Sequence, residues 1–72
     1  MKHFLTEDQV KENLKPKFKF NSKWFAAIIE VLEVLPDNNL LSVKVHGVIE
    51  PWNLEHTIWG FDKQEYYTET EN

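Results

Sequence analysis

Apolar residues concentrate between Ala27 and Val48 in two runs, AIIEVLEVL and LLSVKVHGV, separated by Pro36-Asp37-Asn38-Asn39. The first run is rich in β-branched residues (Ile28, Ile29, Val31, Val34) and the second alternates, and both habits suit pleated strands. Proline followed by Asp and Asn suits the loop between them. The pattern predicts a β-hairpin of strands 25–35 and 40–49 in which Leu35 faces Leu40. That register collects Ile28, Glu30, Leu32 and Val34 with Leu41, Val43, Val45 and Ile49 on one face, where only Glu30 is out of place. The other face collects Ile29, Val31, Glu33 and Leu35 with Leu40, Ser42, Lys44 and His46, with Glu33 diagonal to Lys44. Both faces are apolar enough to need cover. A rival reading makes 22–35 an amphipathic helix on a three-stranded sheet, because Glu30, Glu33 and Ala26 share one narrow side of a helical wheel.

Around the hairpin the signals are shorter. Thr6 followed by Gln9 has capping-box spacing, Leu5 and Val10 are placed for a hydrophobic staple, and Glu7 and Asp8 favour a first helical turn. Lys15 precedes Pro16 and is biased away from helical angles, so a helix over 7–14 is expected. At two turns it is too short to stand alone, so Val10 and Leu14 must dock on the sheet. Lys17–Phe20 alternates as a strand would, and Asn21-Ser22 reads as the turn after it. Gly47 suggests a bulge or bend, and Glu50–Asn53 a connection. Leu54–Phe61 alternates again and reads as a strand with a bend at Gly60; 65–68 reads as a final strand and 69–72 as a frayed acidic tail. The fold class expected is α+β: one short helix packed on a curled antiparallel sheet, in a single small domain.

The segment VLEVLPDNNLLSVKV resembles hairpins of small β-barrels of the SH3-like and OB types, over about twenty residues and through a generic apolar strand, Pro-Asp turn and alternating strand. The resemblance implies a small closed barrel, and such barrels often bind nucleic acid or peptides.

Composition narrows the chemistry. The chain has 72 residues and no cysteine, which removes disulfides and thiolate metal sites, and ten aromatics with which to pack. A core of this size is marginal, which makes self-association, as a homodimer, an expectation from size. No apolar run approaches the ~20 residues of a membrane span, and acids interrupt the N-terminus where a secretory signal would continue, so a cytoplasmic protein is expected. The net charge of −4 conceals six lysines among residues 1–23 and nine acids among residues 24–72.

Among the histidines, His46 and His56 fall on different expected strands and lack metal-ligand spacing, so no metal and no cofactor is expected. His46 is read as a surface residue and His56 as hydrogen-bonded within the sheet. Ser22 and Ser42 have no adjacent base, and no catalytic residue is assigned.

Adjacent rings such as Trp24-Phe25 and Tyr66-Tyr67 cannot both face inward from one strand, so some must be exposed. Trp24, Trp52, Trp59, Tyr66 and Tyr67 are the expected partner-binding residues of a non-enzymatic interaction module, of the sort phages and mobile elements encode. A second reading is a single-stranded nucleic-acid binder using Lys15, Lys17, Phe18, Lys19, Phe20 and Lys23. A third is an acidic mimic of nucleic acid using Glu50, Glu55, Asp62, Glu65, Glu69 and Glu71.

Overall fold

The computed structural model describes residues 1–24 and 26–69. Its elements in chain order are β1 (Lys2–His3), α1 (Glu7–Asn13), β2 (Lys19–Ser22), β3 (Ile28–Leu35), β4 (Leu40–Val45), β5 (Val48–Asn53), α2 (Leu54–Asp62) and β6 (Tyr66–Glu69). The strands form one antiparallel sheet in the order β1-β6-β2-β3-β4-β5, open at both edges and not closed into a barrel. The α+β class read from the sequence therefore holds, and the helical alternative for 22–35 does not.

The α1 helix starts as its sequence dictates. Gln9 N–H donates to Thr6 Oγ1 at 3.3 Å and Thr6 N–H donates to Gln9 Oε1 at 3.0 Å, a complete capping box. Its one fully buried residue, Val10, enters the core together with Leu14, which closes the helix.

The strand expected over 17–20 begins two residues later, after a turn at Lys15–Phe18. Lys15–Phe18 closes through Phe18 N–H donating to the Lys15 carbonyl, with Pro16 second and Lys17 third at φ 78°. Lys17 and Phe18 then share Val31 as partner, a bulge that ordinarily holds glycine in its left-handed position. Asn21-Ser22, read as a turn, lies inside β2, paired with β3 and β6.

In the β3–β4 hairpin Leu35 faces Leu40 across a four-residue loop, as expected, with Asn39 left-handed at φ 51°. The register then shifts by one between Val31 and Glu33. That bulge corrects the expected faces. Ile29 and Val31 turn inward to join Val34, Leu41, Val43 and Val45, and Glu30 turns outward, directly opposite Lys44. The misplaced glutamate was the trace of the bulge. The 40–49 strand is likewise two strands, divided at His46-Gly47, whose φ values of 52° and 78° make a two-residue type I′ turn.

The segment 54–61, read as a strand, is α2. Leu54, Ile58 and Phe61 recur at helical spacing, and the helix has a prepared N-terminus. Asn53 Oδ1 accepts from His56 N–H at 2.8 Å, Asn39 Oδ1 from Glu55 N–H at 2.9 Å, and the Asn39 carbonyl from Leu54 N–H at 3.0 Å. At its other end Glu65 N–H reaches the Gly60 carbonyl and Gln64 is left-handed at φ 59°, a Schellman closure. Both helices cover the same side of the sheet. Phe20, Ile29, Val31, Leu41, Val43 and Val45 meet Val10, Leu14 and Phe61 there to form the core. The tail expected over 69–72 begins inside β6 at Glu69; its remaining residues, like the first residue of the expected strand 25–35, lie outside the described residues.

Candidate functional site

Directly paired residues of a sheet share a face, so the register maps the side that no helix covers. Four rows cross it. Tyr67, Asn21 and Ile28 form one, and Lys19, Glu30, Lys44 and Ile49 the next. Glu33, Ser42 and Pro51 form the third, and Leu35, Leu40 and Asn53 the fourth. Ile28 and Ile49 are 60% and 66% exposed, against complete burial of Ile29 one residue away. A shallow dish of about 260 Å3 on this face is lined by Lys19, Ile28, Glu30, Lys44, His46 and Gly47. Among the described residues none of Lys19, Glu30 and Lys44 joins an ion pair within the chain.

The sheet edges are blunted. β1 has two residues. At the other edge, Val45 and Val48 flank the two-residue turn and so form the hydrogen-bonded pair of the hairpin. Alternation then points the backbone groups of Ile49, Pro51 and Asn53 away from β4. The middle one is a proline with no N–H to offer, which removes a donor from the free edge.

The five expected partner-binding rings do not form one surface. Trp52 and Tyr66 are half-buried and belong to the core: their rings stack at 5.8 Å, and Phe20 meets Trp52 at 6.3 Å and Tyr66 at 5.2 Å. Burial, and then the neighbouring Glu65 carboxylate, pushes the Tyr66 phenol above its ordinary value of 10.0. Tyr67 lies on the opposite, open side, half-buried between Phe4 and the Lys2 ammonium. Trp24 is 69% exposed in the β2–β3 connection, where its indole N–H donates to Glu65 Oε1 at 3.3 Å. Trp59, 46% exposed on α2, stacks on His56 at 5.3 Å. His56 is thus on a helix surface, not within the sheet.

The basic segment keeps its charges exposed and loses its rings. Phe20 is fully buried and Phe18 packs on Phe20 and Phe61, so neither offers a face for a base to stack on. The acids of the mimic reading scatter. Glu50 lies beside Trp52, Glu55 and Asp62 on α2, Glu65 before β6, and Glu69 against the N-terminal ammonium at 3.2 Å; Glu71 is outside the described residues. Among the described residues no three His, Cys, Asp or Glu side chains gather as metal ligands would. No helix there is long and apolar enough to cross a membrane.

What sequence reading missed was the open face itself. Its signal was present in the misfit of Glu30, which once turned outward carries Ile28 with it. No protein-family model matches the chain, and no curated protein or solved structure matches it either.

Proposed function

We propose that this chain is a small non-enzymatic interaction module of the cytoplasm that acts by burying the open face of its sheet against another protein, its own copy included. The observation that carries the reading is the exposure of Ile28 and Ile49 on a sheet face with no cover, Ile49 at the end of the Lys19–Glu30–Lys44 row and Ile28 in the row beside it. Exposed aliphatic residues rimmed by charge are the composition of a binding patch. The other routes to a partner are less suited. The inner face is filled by the helices, and both edges are blunted. The aromatic contribution on that face narrows to Tyr67, while Trp52 and Tyr66 serve the core.

Photocrosslinking tests this directly. A benzophenone side chain at Ile49 should yield protein adducts in cell extract, and the same group at Glu12, exposed on α1, should yield none. Adducts from Glu12 alone, or from neither position, would remove the open face from consideration.

A further inference from the structure

We infer that the occupant of the open face is a second copy of this chain, docked sheet to sheet about a two-fold axis that runs along the strands between β3 and β4. The inference rests on the interaction-module reading above and goes further by naming the partner and its register.

The argument is one of charge self-complementarity. Across the face, one row reads Lys19, Glu30, Lys44, Ile49, contributed by β2, β3, β4 and β5 at the same height along the strands. Rotation about an axis parallel to the strands preserves height and reverses the order of strands. Placed between β3 and β4, such an axis sets Glu30 of each copy over Lys44 of the other, so two ion pairs form and no like charges meet. The same operation lays the aliphatic stem of Lys19 over Ile49 of the second copy, where a lysine can cover apolar surface and keep its ammonium in water. In the fourth row it brings Leu35 over Leu40. An axis placed through β3 or β4 would instead set glutamate on glutamate or lysine on lysine. Aligned sheets pack about 10 Å apart, a gap that extended glutamate and lysine side chains span together.

The axis lays β2–β5 of one copy over β5–β2 of the other, and β6 and β1 extend beyond the overlap. A ion pair closed off between sheets adds little net affinity, but it selects one register among several.

Charge exchange tests both the partner and the axis, with sedimentation velocity as the readout and circular dichroism as the check on folding. Wild type should show a monomer–dimer equilibrium. Glu30→Lys and Lys44→Glu should each weaken self-association by about a hundredfold through two like-charge contacts, and mixing the two variants should restore a dimer containing one of each. The double variant Glu30→Lys/Lys44→Glu keeps the opposite charges within each chain, so its folding is not at stake. It should pair with itself and refuse wild type. Free mixing of the double variant with wild type would overturn the two-fold register. A wild type that stays monomeric to millimolar concentration would overturn the second copy as occupant. The open-face reading falls separately, only if crosslinking from Ile49 also finds no protein.

Discussion

Gly60 lies in α2 at ordinary helical angles, so its lack of a side chain answers a demand for space and not for backbone freedom. A methyl group there would lie 2.8 Å from Tyr66 Cδ2 and closer still to Cε2. The ring has no room to retreat, since it stacks on Trp52 and sits 5.2 Å from Phe20 and 5.4 Å from Phe61. Two effects oppose one another in Gly60→Ala. Alanine is favoured over glycine in a helix by about 1 kcal/mol, while overpacking a rigid core site costs about 1–3 kcal/mol. Because the neighbour is an immobilised aromatic ring, the upper end applies, and the variant should lose about 2 kcal/mol in urea denaturation. The same substitution in a Tyr66→Val background removes the obstacle and should stabilise by up to about 1 kcal/mol. The coupling between the two sites is then about 3 kcal/mol, at the top of the range for residues in contact. A Gly60→Ala protein more stable than wild type, or additive effects in the double variant, would refute the reasoning.

Three further outcomes follow from the backbone and the core. Asn39 holds a left-handed angle and also caps α2 through its side chain; Asn39→Gly should lose about 1 kcal/mol for the cap alone, and Asn39→Ala about 2 kcal/mol for both, as read by chemical denaturation. Equal losses would deny the conformational part. Lys17 occupies the left-handed position of a bulge at φ 78°, so Lys17→Gly should raise stability by about 0.5 kcal/mol in thermal melts and Lys17→Val should lower it; a neutral result for both would contradict the strain. The Tyr66 phenol titrates above 10.0 in the folded protein, so its contribution is complete below pH 10 and is lost as pH rises through the folded value. Stability should therefore fall on going above pH 10 and fall less in Tyr66→Phe; identical alkaline slopes would exclude this residue as the cause.

Local signals carried much of the architecture. The capping box of α1 and the Pro36–Asn39 loop were readable because every group they need lies within four residues in the chain. The Tyr66-Tyr67 pair was readable too, since a strand must send neighbours to opposite faces, and here Tyr66 enters the core and Tyr67 leaves it. The α2 helix was obscured because Leu54-Glu55-His56-Thr57-Ile58-Trp59 alternates as well as it recurs helically. The deciding contacts come from Asn39, fifteen residues before Leu54 and on another element. The bulge at Leu32 left a trace in Glu30 that a regular ladder could only call a misfit. Exposure of individual rings depended on tertiary packing, which sent Trp52 under the aromatic cluster and left Trp24 outside.

The position of β6 carries a consequence for the making of the protein. This strand does not extend the sheet but enters between β1 and β2, with Lys2 paired to Glu69 and Asn21 to Tyr67. During folding the β3–β4–β5 meander can form from contacts close in sequence, while the slot beside β2 waits for residues 66–69. During that interval β2 is an open edge above a core lacking Tyr66, the state in which a folding chain is most exposed to pairing with its neighbours. A chain truncated after Gln64 should therefore aggregate on refolding from denaturant, and a separately supplied peptide carrying the β6 sequence should restore its folding.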